Sequence, residues 1–168
     1  TGEYVAQRTG DAEMHTMPTS SVFYLKFNQQ REATPLQNAN IRKALAMAFD
    51  KQAYADVVLQ NGSIPANGLV PEKLALDPST GEDFREQNGD LLTYNAEEAK
   101  TYFEQGLAEL GVESITLELL SDDTENAKRS SEFLQSQLQT NLPGLTVTLR
   151  NVPFKVRLEA DTAGEYDI

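Results

Sequence analysis

Three pairs of adjacent acids are the residues most able to do chemistry: Glu82-Asp83, Glu97-Glu98 and Asp122-Asp123. A glycosidase needs two carboxylates held across a cleft. These pairs stand instead beside expected helix starts, where a carboxylate stabilises the positive end of the helix dipole. That structural reading outweighs the hydrolytic one. His15 is the single histidine, in a polar stretch, and there is no cysteine. A His-rich zinc site, a thiolate metal site, thiol catalysis and a disulfide are thereby excluded, and His15 reads as a solvated side chain. Residues 77–83 are acidic, but their spacing does not match a calcium loop. "PANG" and "PSTG" lack the glycine spacing and the lysine of a phosphate loop, and we read them as turns. No cofactor and no metal are expected.

The totals narrow the partners. The 168 residues carry 14 basic and 26 acidic side chains, a net charge of −12, with no basic stretch to offset it. Binding to a phosphate backbone needs clustered Lys and Arg, so nucleic acid is not an expected partner. No apolar run approaches the roughly 20 residues of a membrane span. The sequence opens at Thr1 without a methionine or a signal peptide, and we expect it to be processed or cut from a longer protein. A chain of this length buries enough surface to fold without staples.

The elements follow from periodicity and caps. Residues 3–8 predict a short helix ending near Gly10. "VFYLKFN", residues 22–28, alternates like a strand, with Phe23, Leu25 and Phe27 on one face. "NANIRKALAMAFDKQAYADVVLQNG", residues 38–62, predicts two helices, 40–49 and 51–60. Asn38 or Asn40 would cap the first, Asp50 the second, and Asn61-Gly62 would end it. Residues 62–92 form a long loop with little periodicity, and such loops are often functional. "NAEE" is a capping box in which Asn95 caps and Glu98 reaches back. It opens a helix with Ala99, Tyr102, Phe103, Leu107 and Leu110 on one face and Gly106 among them to admit a close neighbour. Residues 114–120 alternate as a strand, Asp122 and Glu125 suggest a second capping box, and a helix over 123–140 turns Ala127, Leu134 and Leu138 inward. A strand at 145–151 and a helix between Pro153 and Gly164 complete the pattern. Residues 114–151 thus form a β-α-β unit with parallel strands and a right-handed crossover, covered by helices mainly on one side. "GEYDI" reads as the opening of another strand, and we expect the sequence to stop inside its lobe.

Position alone nominates a site. In open α/β sheets, ligands lie beyond the carboxyl ends of parallel strands. Those ends are Ser121, Asp122, Asp123 and Asn151. The structural alternatives, a helix cap for Asp122 and a turn for Asn151, weigh more on sequence alone.

"FYLKFNQQ", then "IRKALAMAFDKQAYADVVLQNG" and "IPANGLVP", in this order and spacing, resemble the family 5 extracellular solute-binding proteins, in particular the oligopeptide-binding receptors of ABC importers. The likeness continues through "YNAEEAKTYFEQGLAELG", "ITLELLSDD" and "LQSQLQTNLPGLTVTLRNVPF" to "GEYDI". It implies an α/β fold, one lobe of a two-lobed periplasmic-binding-protein-like (class C) clamp, with a mixed sheet and flanking helices. Residues 1–168 would be a single partial lobe, the later ligand-binding one, stopping before the lobe's end. Hinge closure on a ligand between the lobes is what such a clamp does. The resemblance also implies a peptide ligand, a membrane permease as partner, and a location outside the cell membrane or in the periplasm, with a lipid anchor outside this stretch. The family's ligand-anchoring aspartate follows the tyrosine-aspartate strand start and would lie beyond Ile168. Ser121, Asp122 and Asp123 remain as the substrate-facing residues, with Asn28 and Asn67 as weaker candidates. Ile41, Leu45 and Ala48 would pack on the sheet, and Arg42 would pair with an acid. No enzymatic role is expected. The alternatives are a dipeptide, nickel-chelate or oligosaccharide binder on the same scaffold, a peptide-pheromone sensor, and last a carboxylate-based hydrolase.

Overall fold

The computed structural model describes residues 2–8, 10–15, 17 and 19–168. Its helices are α1 (Gly2–Gln7), α2 (Ala39–Met47), α3 (Lys51–Ala53), α4 (Phe84–Asn88), α5 (Ala96–Leu110), α6 (Glu125–Asn141) and α7 (Phe154–Ala163), and its strands are β1 (Ile115–Asp122) and β2 (Leu145–Val152). Two compact units result: Leu25–Asp50 with Tyr94–Ile168, and Thr1–Tyr24 with Lys51–Thr93.

The first unit holds the predicted β-α-β. β1 and β2 pair in parallel, Ile115 opposite Leu145 through Asp122 opposite Val152. Leu117, Leu119, Leu145 and Val147 are buried on one face, under Leu134 and Leu138 of α6. Thr116, Thr146 and Thr148 are exposed, as alternation requires when one face is left largely to solvent.

α2 and α5 pack together beside this layer. Asn38 caps α2, accepting from the Asn40 and Ile41 N–H groups. Its amide and that of Asn40 both donate to Glu109 on α5. Asn95 caps α5 by accepting from the Glu98 N–H, and its amide donates to the Glu98 carboxylate. Its own N–H goes to Met47 O at 3.0 Å, so the expected reciprocal box is replaced by a tie to the end of α2. Ile41, Ala44, Leu45 and Ala48 are fully buried. Ile41, Leu45 and Ala48 were expected on the sheet, but their helix lies chiefly against α5. Gly106 is the reason. A Cβ there would stand 2.6 Å from Ile41 Cδ1 and 3.1 Å from the Ile41 nitrogen, so only glycine admits this approach. Arg42 pairs with no acid among the described residues. Its guanidinium donates to the Leu36 and Gln37 carbonyls, closing the single turn at Pro35–Gln37.

The main chain of β1 finds partners on both sides at Glu118 and Leu120. The Ile168 N–H donates to Glu118 O and the Ile168 carbonyl accepts from the Leu120 N–H, which is the pattern of a parallel pair opposite Leu119. The next rung departs from that pattern. Glu118 N–H donates to the Asp167 side chain, and the Tyr166 carbonyl accepts from the Asn28 amide instead. Asn28 is 6% exposed; its amide also donates to Gly164 O and its oxygen accepts from Gln30 N–H. The strand predicted over residues 22–28 does not form: among the described residues that segment makes one main-chain bond, Asn28 N–H to Asp167 O. Phe23 is 93% exposed. On the outer edge of β2, Gln135 donates to Val147 O and Gln139 accepts from Val147 N–H.

In the second unit, α1 matches the helix expected near residues 3–8. α3 runs into a π-helical segment, Tyr54–Leu59, rather than continuing as α-helix. It ends on Gln60, which takes the left-handed conformation at φ 49° one residue before the expected Asn61-Gly62 stop. Asp83 caps α4 and is 7% exposed, accepting from the Arg85 and Lys73 N–H groups. The long loop is thereby organised without regular periodicity.

Two outcomes test this account. Gly106→Ala should lower stability by about 1–2 kcal/mol in urea unfolding, because overpacking against Ile41 outweighs the better helix propensity of Ala. Asn28→Ala should cost about 2–3 kcal/mol by orphaning two carbonyls, and Asn28→Asp at neutral pH should cost at least as much, since its charge would face them.

Candidate functional site

The carboxyl ends of β1 and β2 carry the densest polar cluster at a strand end. Register places Ser121 opposite Asn151 and Asp122 opposite Val152. The Asn151 amide lies 3.3 Å from Ser121 Oγ, 3.1 Å from Asp122 O and 3.4 Å from Ser131 Oγ. Ser131, on α6, is 1% exposed and its hydroxyl donates to Ala127 O. Asn151 therefore ties two strand ends to a helix behind them.

Asp122 does not cap α6. Thr124 does, accepting from the Ala127 N–H. A cap must sit one residue before the first helical position, and β1 runs as far as Asp122, two residues too early. The Asp122 carboxylate faces α7 instead, where Arg157 Nε donates to Oδ1 at 2.9 Å. Both side chains are about one-third exposed. The guanidinium also lies 5.1 Å from the centre of the Phe154 ring, which is 58% exposed. Asp123 is exposed and makes no hydrogen bond among the described residues.

The structure brings Ser121 and Asp122 together with Asn151. It does not bring Asn28 to them. Asn28 bonds at the level of Asp167, which register sets beside Glu118, four residues before Asp122 and so about 13 Å down the strand. Its carboxamide is committed to holding the fold. Beside it opens a pocket of about 360 Å³ where Lys26 pairs with Asp161 at 2.6 Å above the Tyr166 ring. The hydrogen bond to Asp161, with a further contribution from Tyr166, raises the Lys26 pKa. Asn67 lies in the long loop of the other unit, half-buried, with its carbonyl accepting from Leu91 N–H at 3.4 Å.

Arg157 and Ser131 escaped sequence reasoning. A signal existed for Arg157: a helix opening right after the end of β2 must place its first turn beside the neighbouring strand end. The acidic stretch 77–83 is tied up internally. Asp77 accepts from the Ser79 hydroxyl and from the Ser79 and Thr80 N–H groups, which lower its pKa. Asp83 holds α4 and Lys73, as above. Among the described residues, no three His, Cys, Asp or Glu side chains are grouped to hold a metal ion.

Comparison with known proteins adds an independent line. The chain is 35% identical over 153 residues to a dipeptide-binding protein of Lactococcus lactis, covering 86% of this chain and 28% of that protein. It superposes on Listeria monocytogenes OppA bound to peptide with a TM-score of 0.91 at 54% identity, covering 98% of this chain and 33% of that one. It also matches the pheromone receptor PrgZ, described for its mode of peptide binding, with a TM-score of 0.89 at 36% identity over 99% of this chain and 32% of that one. The sequence thus spans about a third or less of these relatives. Residues 2–168 match the family profile of bacterial extracellular solute-binding proteins, family 5, middle region, and the chain belongs to that family.

Proposed function

We propose that this chain is the larger part of the second lobe of a two-lobed receptor that binds peptides outside the cell and delivers them to an ABC importer. The observation that carries the reading is the superposition on a peptide-bound OppA across 98% of the chain at 54% identity. The chemistry of the strand ends is compatible with it. Ser121, Asp122 and Asn151 offer polar, solvent-reachable groups rather than a deep apolar slot. Water bridging such groups to a ligand adapts to different side chains, which suits broad peptide specificity. Ser121, Asp122 and Asp123 are the proposed ligand-facing residues of this lobe, and Asn28 supports them from within the fold. The membrane permease of the importer is the proposed protein partner, and any lipid anchor belongs outside residues 1–168.

A second reading has one observation in its favour. The likeness to PrgZ allows a receptor that takes a peptide pheromone as a signal rather than as food. Both readings share a peptide ligand, and they differ in what the importer's cargo does next.

Calorimetric titration with mixed short peptides tests the common part. A protein extended to the length of the relatives should give binding heat, and residues 1–168 alone should give little or none, because half of a two-lobed grip is missing. Absence of heat from the longer protein would overturn the peptide assignment.

A further inference from the structure

We propose that Arg157 and Asp122 together form a docking point for the main chain of an extended peptide; the inference rests on the peptide-receptor reading above.

The pair meets through one nitrogen and one oxygen, Nε to Oδ1 at 2.9 Å. No hydrogen bond among the described residues uses Arg157 Nη1 or Nη2, or Asp122 Oδ2. A guanidinium has five N–H donors in a planar fork, and an ionised carboxylate accepts at both oxygens. Four donor hydrogens and one carboxylate oxygen therefore stand side by side without a partner among the described residues. The side chains are 29% and 32% exposed, so solvent reaches both.

This is the complement of one residue of extended chain. The carbonyl of such a residue takes an Arg157 N–H, and its N–H donates to Asp122. Hydrogen bonds with one ionised partner are about twice as strong as neutral ones. The pair is neutral as a unit, so it does not select the ligand's side-chain charge. It is also held in place before any ligand arrives. Asn151 fixes the Asp122 carbonyl from behind, with Ser131 buried beneath it, and the Phe154 ring lies against the guanidinium. The exposed face of that ring adds an apolar surface next to the docking point. Finally, the pair sits where open α/β sheets bind ligands, past the carboxyl ends of parallel strands.

The test uses the receptor at full length and calorimetry with Ala-Ala-Ala, Ala-Glu-Ala and Ala-Lys-Ala. Arg157→Leu should weaken all three by the same factor, about ten-fold, since it removes a charge-assisted bond to atoms common to every peptide. Arg157→Lys keeps the ion pair and hence the fold, but lacks the fork, and should weaken all three several-fold. Lys100→Leu, which breaks an exposed ion pair with Glu104 elsewhere, should change none. Unchanged affinity in both Arg157 variants, with only a lower melting temperature, would overturn the proposal and leave the pair as a tie between α7 and β1. A loss confined to Ala-Glu-Ala would also overturn it, in favour of a side-chain carboxylate site. If the wild-type receptor bound none of the three peptides, the failure would lie with the peptide-receptor reading itself.

Discussion

β1 has neighbours on both sides, and each of its buried amides needs an acceptor. β2 supplies one side. On the other, Ile168 exchanges two main-chain bonds with Glu118 and Leu120, and then the ladder changes kind. Asp167 lends its carboxylate to the Glu118 N–H, which frees the Tyr166 carbonyl for Asn28. Arg31 in turn pairs with Asp167. A side chain standing in for a peptide carbonyl favours one pairing of residues, because a slip by one residue would take the Asp167 carboxylate from the Glu118 N–H and the Tyr166 carbonyl from the buried Asn28 amide. The register of β1, and with it the height of Ser121 and Asp122 at the strand end, follows from this exchange.

The parts of the fold readable from the sequence are those set by local chemistry. Asn38 and Asn95 cap the helices they were expected to cap, and the two alternating segments become parallel strands. Gly106 among apolar residues announced a close contact, and Ile41 makes it. The misreadings share a cause. Thr124 displaced Asp122 as a cap because the strand runs further than its apolar alternation shows. Arg42 found carbonyls rather than a carboxylate because a neighbouring turn left two of them open. The extended segment 22–28 has the alternation of a strand, but among the described residues its main chain bonds only at Asn28.

The polar cluster at the strand ends was readable in part, for a topological reason. Once two parallel strands were recognised, their carboxyl ends named Ser121, Asp122 and Asn151 without any motif. The partner that gives Asp122 its chemistry stands 35 positions later, and no local spacing links it to Asp122. The surroundings of Asn28 were not readable in the same way: two of its three side-chain bonds, to Gly164 and Tyr166, reach residues 136 and 138 positions away.

The two glutamines of α6 that face Val147 bear on how such a lobe survives outside a cell. An edge strand with open N–H and C=O groups is a template on which another chain can grow. Gln135 and Gln139, one helical turn apart, occupy both groups of Val147 at 2.7 and 2.8 Å. The amide side chain, with a donor and an acceptor on one carbon, imitates the strand that is not there. At Val147 the covering helix thus stands where a neighbouring strand would, and another chain finds neither main-chain group of that residue open.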